Sequence, residues 1–415
     1  MAEGIVASAQ DQSKEDASRP SIQSPAPPPD GGYGWSYSVY LAYYLSHDIF
    51  PDGRSIDFAF IGGFNFAFAL LVAPFATLLM RLFGVRAPMF IGVVLLPSGF
   101  IGASFATRIW HLYLSQGVCI GLAVGLIYIP ATAVIPQWFL KKRSLANGIC
   151  SAGSGIGGLI VCFATEGMLR SLGLVWALRI TAVVVFFVNL VATLLIRSRN
   201  EEIKPDLRMF NFHLLSDYHV QLLLSWSFVM MFGYITLMFS LSDYALAIGR
   251  SGSDSATVAA ILNLGAACGR PLIGYTSDRY GRVEVAGILT FVCGILVFVL
   301  WMPATLFSVL LVFAFISGGI LGIFWAAIGP LAADIVGLKE LPAFLSIAWL
   351  SVVLPTAFAE VIALELRRPE FGKRSYLYAQ TFAGLSYIAA SLILLELWRS
   401  RRATAKRLES DSESS

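Results

Sequence analysis

Long apolar stretches separated by short polar ones run along the chain from about residue 57 to residue 398. An α-helix needs ~20 residues to cross the hydrocarbon core of a bilayer, and most of these stretches reach that length. The pattern therefore predicts an all-α polytopic membrane protein with eleven full spanning helices. They are predicted at residues 57–80, 87–106, 109–135, 144–168 and 172–196 and, after a polar gap, at 218–247, 255–275, 283–303, 305–333, 341–365 and 377–398.

One further apolar stretch, residues 36–45, is short. As a helix it would extend only about 15 Å, at ~1.5 Å per residue, so it cannot cross a bilayer by itself. Five full helices before the gap and six after it predict two six-helix bundles in which the first helix is truncated. The missing part would lie between Trp35 and Ser36. Either the protein lacks it, or the gene model has skipped an exon that encodes it.

Polar segments divide the chain into five predicted regions. Residues 1–32 are rich in Ser, Ala and Pro and have too little apolar surface to fold, so they are predicted to be a disordered tail. Residues 33–196 are the predicted N-terminal bundle, 197–217 a cytoplasmic linker and 218–398 the C-terminal bundle. Residues 399–415, a basic cluster followed by an acidic, serine-rich stretch, are predicted to be a disordered cytoplasmic tail.

The composition limits the class of protein. Hydrophobic residues make up 57% of the chain and charged residues 13%, about half of the ~25% that is usual in soluble proteins. So few charges cannot cover a soluble fold of this size, which excludes a soluble enzyme, a nucleic-acid binder and a secreted disulfide scaffold. The sequence contains no phosphate-cradling loop, nucleophilic triad or metal-ligand spacing. We therefore predict no enzymatic activity, no catalytic or metal-binding residues and no cofactor.

The placement of Lys and Arg residues predicts the orientation. If the gap between the halves is cytoplasmic and the full helices alternate from there, the cytoplasmic loops and tails hold 19 of these residues and the opposite side holds eight. This excess fits the positive-inside rule. We expect a multi-pass protein of the plasma membrane, with the vacuolar or another internal membrane as the alternative.

The loop between the helices predicted at 255–275 and 283–303 contains the motif G-Y-T-S-D-R-Y-G-R. Glycines let two helices approach and let a loop turn tightly, and an Asp–Arg pair can hold the helices together until a conformational change breaks it. A weaker version of this loop occupies the matching place in the first half. The residues predicted to form the conformational gating loop are Gly274, Asp278, Arg279, Gly281 and Arg282, together with Arg81 and Arg86.

The loop at residues 274–282 resembles the signature loop of the major facilitator superfamily. The string Asp30-Gly31-Gly32-Tyr33-Gly34-Trp35 resembles the D-G-G-x-G-W signature that heads the first helix of the monocarboxylate porter family. Residues 121–130, 138–148 and 153–158 resemble that family's fourth helix, fourth-to-fifth loop and fifth helix. The resemblance covers about residues 30–398 and is closest to the fungal members.

The resemblance implies a major facilitator fold, in which two six-helix bundles rock about a central site near the membrane midplane. It implies a secondary-active or facilitative transporter of a small organic solute, most often a monocarboxylate-type anion, across the lipid bilayer. Fungal members also carry quite different solutes, such as riboflavin. A transport-inactive truncated or regulatory membrane protein is the other alternative, because the missing part of the first helix would line the central cavity.

Arg270 is the leading candidate for substrate binding. A cation buried in a membrane helix is costly unless it faces a cavity or a partner, and a guanidinium fork can hold a carboxylate through two hydrogen bonds. In the family, an arginine before a proline in the eighth helix binds the substrate carboxylate, and Arg270-Pro271 matches it. Asn263 and Asn65 are predicted either to line the same cavity or to bond one helix to another.

The sequence departs from the proton-coupled members of the family at two places. Those members carry an aspartate one turn before the arginine, where this chain has Ala266, and a lysine in the part of the first helix that is missing here. No proton acceptor is therefore expected beside Arg270. A co-transported proton stays one alternative, against which Ala266 argues, and facilitated exchange or another coupling is the other.

Other charged residues near the helix ends are expected to form structural ion pairs. Glu166, near the end of the helix predicted at 144–168, is expected to lie beside Arg179 of the next helix, and a structural ion pair between them is predicted. A second pairing is predicted at the outer end of the eleventh helix, between Glu360 or Glu365 and Arg367 or Arg368.

Overall fold

The computed structural model describes residue 40, residues 43–44, 49–50 and 53, and residues 55–413. Within these residues every regular element is a helix. The α-helices of the first half are α1 (Ser55–Leu71), α2 (Ala73–Phe83), α3 (Arg86–Ser104), α4 (Ile109–Leu112), α5 (Ile120–Trp138), α6 (Arg143–Leu195) and α7 (Asn200–Ile203). Those of the second half are α8 (Tyr218–Ala247), α9 (Gly252–Tyr280), α10 (Arg282–Leu296), α11 (Phe307–Leu321), α12 (Ile323–Ile335), α13 (Gly337–Ser351), α14 (Val353–Glu365) and α15 (Leu377–Glu413). The π-helical segments Tyr113–Cys119 and Val297–Trp301 continue α4 and α10, and short 3-10 helices cover Phe212–Ser216 and Pro369–Arg374.

Ten helical stretches in the described residues are long and apolar enough to cross a membrane. The longest, α6, has 53 residues and would extend ~80 Å as one straight helix, well beyond the ~30 Å of a hydrocarbon core. Its helical geometry is interrupted at Gly173, where φ is +78°, a conformation that favours glycine. The break divides α6 into arms of residues 143–172 and 174–195. With α6 counted as two arms, the ten stretches become eleven apolar helical segments in the described residues, the number predicted from the hydrophobic pattern.

Buried apolar side chains form two clusters. One lies entirely in the first half, between Tyr40 and Ile196. The other is built mainly from α8 to α15 and is joined by residues of α1, α2 and α5. The halves meet where α6 packs on α9, α1 on α14 and α2 on α13. The architecture is therefore the predicted pair of helical bundles with an extensive shared interface.

Small residues bring α9 and α11 to close range. An ideal Cβ on Gly318 would lie 3.0 Å from the Cα atom of Leu262 and closer still to its carbonyl, and Gly265 meets Phe315 in the same way. Membrane helices associate through such contacts because lipid chains are as apolar as large side chains and provide no hydrophobic driving force. Helix α9 is therefore held at a short, fixed distance from α11.

We expect Gly318→Val to lower the thermal unfolding midpoint, because its side chain would push on the backbone of Leu262. Overpacking of this kind costs about 1–3 kcal/mol. Gly157→Val is the matched control, since an ideal Cβ at Gly157 meets no described heavy atom within 4 Å. The measurement is thermal unfolding of both purified variants in the same detergent, and equal midpoints would contradict the close packing of α9 on α11.

Part of the short stretch at residues 36–45 is attached to the first bundle. The Tyr40 hydroxyl lies 3.1 Å from the Thr181 hydroxyl, and Gln116 Nε2 donates to the Tyr44 hydroxyl at 2.8 Å. Both tyrosines are buried. Apart from Tyr43, the rest of the stretch lies outside the described residues, as does the signature formed by Asp30, Gly31, Gly32, Gly34 and Trp35.

The structure differs from the sequence-based prediction at the C-terminal end. Helix α15 continues to Glu413, whereas residues 399–415 are predicted from sequence to be a disordered tail. No glycine or proline follows Gly384, and Ala, Arg, Lys, Leu and Glu are strong helix formers, so the membrane helix propagates beyond its apolar part. The guanidinium of Arg402 lies 4.0 Å from the ring centroid of Trp398 and supports the first of these turns.

Candidate functional site

Arg270 lies on α9 at the interface between the two bundles. Its side chain is 5% exposed, and Nη1 donates to the Ser151 carbonyl and the Ser154 hydroxyl of α6. Gly322, between α11 and α12, leaves room for it, because an ideal Cβ there would lie 3.0 Å from Arg270 Cδ. The buried Nε has no hydrogen-bond partner among the described residues. A buried cation with an unused donor, held between two bundles, is suited to bind an anion.

Small residues on α6 make this position possible. Gly148, Ser151 and Gly155 are spaced by three and four residues, so they share one face of the helix. An ideal Cβ on Gly155 would lie 2.7 Å from the backbone nitrogen of Ala267, which means that α6 and α9 touch through their backbones. This approach brings serine oxygens within reach of Arg270 and makes its guanidinium a link between the halves.

The two asparagines predicted beside Arg270 lie in different places. Asn263 precedes Arg270 by seven residues, or two turns of α9, and so shares its face of the helix. Its Nδ2 donates to the Ala259 carbonyl at 3.0 Å, and its buried Oδ1 is without a partner in the described part of the chain. Asn65 Nδ2 donates to the Gln116 carbonyl at 2.8 Å. Arg270 and Asn263 therefore share one interface, whereas Asn65 bonds two segments of the first bundle.

An aromatic cluster lies next to Arg270. The ring of Trp325, on α12, is centred 5.7 Å from that of Tyr128 in the first bundle, 6.1 Å from that of Tyr234 and 5.7 Å from that of Trp349. Tyr234 also interacts electrostatically with Arg270. The other three rings are buried and Trp325 is partly exposed. The space between the bundles beside the guanidinium is therefore filled by stacked and edge-on rings.

Asp278, near the end of α9, joins the second bundle to the first. Its carboxylate accepts hydrogen bonds from the backbone nitrogens of Ser144 at 3.1 Å and Leu145 at 2.8 Å, in the first turn of α6. The first amides of a helix lack partners in their own helix and carry partial positive charge, so a carboxylate caps them well. Here the cap comes from the opposite bundle. This contact must break before the bundles can separate at this end of the molecule, which we term the Asp278 end.

Arg282 extends the contact into a network. Its Nε donates to the Ser144 hydroxyl at 3.1 Å, its Nη2 lies 3.1 Å from Asp278, and its Nη1 pairs with Asp334 of α12. Asp334 also lies 3.7 Å from Arg143 of α6. Cations and anions thus alternate across the interface, and each partly buried charge has a neighbour of opposite sign.

The glycines of the gating motif allow this approach, whereas Arg279 stands outside the network. An ideal Cβ on Gly274 would lie 2.7 Å from the Cα atom of Leu145, and Gly281 has φ of +107°. Only glycine fits the first position without moving α6, and it is strongly favoured at the second. Arg279 is exposed, with its guanidinium 5.5 Å from the ring centroid of Tyr280.

The matching loop of the first half makes different contacts. Arg86 donates to the carbonyls of Leu194 at 3.1 Å and Ile196 at 3.0 Å, at the C-terminal end of α6, where a cation complements the helix dipole. Arg81 is exposed. Arg86 therefore holds α3 against α6 within the first bundle.

The ion pair predicted between Arg179 and Glu166 is wrong. Glu166 pairs with Arg170, one helical turn away, and the Arg179 guanidinium lies 5.0 Å from the ring centroid of Phe105. A partner one turn away on the same helix is closer than a residue beyond the break at Gly173.

The pairing predicted for Arg367 is also wrong. Arg367 Nη1 lies 3.0 Å from an oxygen of Asp243 on α8, and none of the ion pairs found among the described residues includes Glu360. Asp243 lies within the apolar stretch at 218–247, more than 120 residues before Arg367, so no local pattern connects the two. Tertiary packing of α8 against α14 decides the pairing instead.

Sequence analysis missed the polar partners of both Arg270 and Asp278. Ser151 and Ser154 fall in a stretch that looks like ordinary small-residue packing, and Ser144 contributes a backbone amide, which leaves no trace in the sequence. The available signal was the spacing of small polar residues along one face of α6. Asp334 also carried a signal, as a single acid at the end of an otherwise apolar helix.

The sequence profile of the Major Facilitator Superfamily matches the chain twice, over residues 32–224 and 222–414. Among curated relatives, Probable transporter MCH2 of Saccharomyces cerevisiae is 32% identical over 387 residues, covering 88% of this chain and 82% of that protein. Uncharacterized transporter ESBP6 of the same yeast is 36% identical over 406 residues, covering 90% of this chain and 60% of that protein. The chain thus spans less than two thirds of the second relative.

Solved structures of transporters share the fold. The human organic anion transporter MFSD10 (TETRAN) superposes with a TM-score of 0.62 at 12% identity, covering 86% of this chain and 89% of that one. The proton:xylose symporter XylE superposes with a TM-score of 0.66 at 15% identity, covering 88% and 91%. Identities this low show the fold alone. The two profile matches, one to each bundle, establish that the chain belongs to the Major Facilitator Superfamily.

Proposed function

We propose that the protein is a transporter of a small organic anion, with monocarboxylates as the substrate class. The observation that carries the proposal is the buried guanidinium of Arg270 between the bundles, with its Nε unpartnered among the described residues. The relatives named as transporters support movement of a solute across a membrane. The signature at Asp30–Trp35 supports the narrower assignment to the monocarboxylate porters.

The present partners of Arg270 are suited to exchange with a substrate. Nη1 binds two neutral oxygens, from Ser151 and Ser154. A carboxylate forms shorter and stronger charge-assisted hydrogen bonds than a carbonyl or hydroxyl does. An incoming anion would therefore displace these oxygens and engage the free Nε in the same step.

Alternating access would follow from the position of the Asp278 network. Helix α6 carries both the amides capped by Asp278 and the serines that bind Arg270, within about three turns of each other. Helix α9 carries Asp278 and Arg270 themselves. A shift of α6 against α9 on anion binding would thus strain the network directly, and its release would open the Asp278 end.

Facilitated exchange is the coupling that we propose for this site. Ala266 is 3% exposed and stands one turn before Arg270, where it offers no group that could accept a proton. We place the protein in the plasma membrane, with the Asp278 end facing the cytoplasm as the Lys and Arg distribution predicts.

Two other functions would use the same fold. A different solute, such as riboflavin, would be transported if the partly exposed Trp325 and its neighbours form the main binding surface. A transport-inactive or regulatory protein would result if the short stretch at residues 36–45 leaves the first bundle without a complete central cavity.

A ligand screen on the purified protein distinguishes these functions. We expect at least one monocarboxylate to raise the thermal unfolding midpoint. At 100 times its Kd, a ligand adds about 2.7 kcal/mol to the free energy of unfolding. The matched control is the neutral amide of the same acid, which Arg270 cannot pair with and which should leave the midpoint unchanged. Stabilisation by riboflavin alone would favour the different solute. No stabilisation by any ligand would favour the inactive protein.

A further inference from the structure

One buried acid is not used by the proposed anion site. Glu360 lies on α14, five residues before the end of the helix at Glu365. Its side chain is 9% exposed, and its buried Oε2 is without a hydrogen-bond partner in the described residues. A carboxylate in this position would be desolvated with no donor on that oxygen, which is unfavourable inside a membrane protein.

The packing of α14 brings a second acid close to Glu360. The buried side of α14, which includes Thr356 and Ala359, faces α8, where the Thr236 hydroxyl donates to the Ala359 carbonyl at 3.4 Å. Asp243, less than two turns further along α8, interacts electrostatically with Glu360. Two carboxyl groups on neighbouring helices therefore share one region of the interior.

Arg367, the cation in this region, pairs with Asp243 through Nη1, while its buried Nε has no hydrogen-bond partner among the described residues. Arg367 Nη1 lies 3.0 Å from Asp243, and the hydroxyl of Tyr376, just before α15, donates to the same oxygen of Asp243. Tyr376 also interacts electrostatically with Glu360. One guanidinium thus balances one carboxylate, and Glu360 is the second acid beside a pair that is already neutral.

The other helices packed on α14 bring no cation to Glu360 within the described residues. Helix α1 carries one titratable side chain there, Asp57, which accepts a hydrogen bond from the Tyr113 hydroxyl at 3.2 Å. On α8, the Tyr244 hydroxyl donates to the Ala304 carbonyl at 3.0 Å. The charged residues of α13, Lys339 and Glu340, lie at the other end of their helix pair, next to the Asp278 end. Asp243 and Tyr376 are therefore the titratable groups of the described residues that are found to interact with Glu360.

We propose that Glu360 is a proton-binding site. A proton from the aqueous phase bonds to one carboxylate oxygen, and the negative charge of Glu360 disappears as the O–H bond forms. With the proton bound, Asp243, Arg367, Tyr376 and Glu360 together carry no net charge, and without it they carry one negative charge in an apolar region. Loss of the proton therefore sets two negative charges against each other on α8 and α14, at the end of the bundle opposite the Asp278 end.

This site is independent of Arg270 and of any substrate. It lies on α14 rather than on α9, so it supplies a titratable group that the position of Ala266 lacks. Proton binding at Glu360 would alter the contact between α8 and α14 whether or not an anion is bound. The proposal can therefore be tested without knowing what the protein transports.

The test is an infrared pH titration of the purified full-length protein in lipid nanodiscs without substrate. We expect a carbonyl band of a protonated carboxyl group that disappears as the pH is raised, and we expect Glu360→Gln to abolish it. Glu166→Gln is the matched control, because Glu166 is partly exposed and paired with Arg170, and it should leave the band intact. An unchanged band in Glu360→Gln would overturn the proposal.

A second variant keeps the test decisive if Glu360→Gln does not fold. Asp243→Asn removes the negative charge next to Glu360 while preserving side-chain size. The carbonyl band should then disappear at a lower pH than in the unmodified protein, because the ionised form of Glu360 loses a repelling neighbour. A midpoint identical to that of the unmodified protein would show that the titrating group is not Glu360.

Discussion

Replacing Arg270 with glutamine is expected to reduce uptake of the transported anion by about thirty-fold to several thousand-fold, the equivalent of the ~2–5 kcal/mol lost when one partner of a buried charged contact is removed. Glutamine keeps a donor for the Ser151 carbonyl, so α6 and α9 can still pack. Arg270→Lys keeps the charge but replaces the planar fork by a point charge, and it should retain only part of the activity. The measurement is the initial uptake rate in proteoliposomes, normalised to the amount of reconstituted protein.

Arg179→Gln is the matched control for this prediction. Arg179 is also an arginine inside an apolar helix, but its contacts are Ser104 at 3.4 Å and the rings of Phe105 and Trp176, all within the first bundle. Loss of a cation there should leave uptake close to that of the unmodified protein. If the two variants lost uptake equally, Arg270 would have no special part in anion binding.

Asp278→Asn is expected to shift the protein toward a state that is open at the Asp278 end. Asparagine has the same size but no charge, so it weakens the bonds from the amides of Ser144 and Leu145 and the pair with Arg282. Hydrogen bonds to charged groups contribute about 1.5–3 kcal/mol each, so the conformational equilibrium should move by at least about ten-fold. The measurement is the distance between spin labels at Lys141→Cys and Lys339→Cys, two exposed positions in opposite bundles, the first in the turn before α6 and the second in the first turn of α13. The native cysteines are replaced by serine for this experiment.

Arg279→Gln is the control for the Asp278 variant, since both residues belong to one loop. The Arg279 side chain is exposed, and its contacts within the described part of the chain are with Tyr275 and Tyr280. Its replacement should leave the distribution of label distances unchanged. A distribution that broadens toward longer distances in both variants would mean that the loop as a whole, and not the capped helix, holds the bundles together.

The fold could be predicted from the sequence because the bilayer fixes the length of each crossing helix. The break at Gly173 falls at the second residue of the helix predicted at 172–196, two residues after the predicted gap at 169–171, because glycine adopts a positive φ without a steric penalty. The C-terminal extension to Glu413 was not predicted, since a charged helix beyond the membrane has the composition of a polar tail. The helix propensity of these residues determines where α15 ends, and the length of the apolar stretch does not predict that end.

The site could be predicted only in part. Arg270 was found because a cation in a membrane helix is costly, and that cost is visible in the sequence alone. Its partners Ser151 and Ser154 are neutral and small, and such residues serve equally well for packing. Arg86 binds the carbonyls of the helix end that lies nearest to it in space, and Arg367 pairs with the nearest acid. That choice is made by tertiary contacts between α3 and α6 and between α8 and α14, which no local pattern encodes.

The measurement that tests the central claim most directly is counterflow in proteoliposomes. Vesicles that contain the protein and a high internal concentration of an unlabelled monocarboxylate are diluted into the labelled anion. Transport through a site at Arg270 predicts a transient accumulation of label above its equilibrium level, with no accumulation in empty vesicles or in vesicles that contain Arg270→Gln. If protein-containing vesicles matched empty ones for every monocarboxylate in the panel, the proposed anion transport would be contradicted.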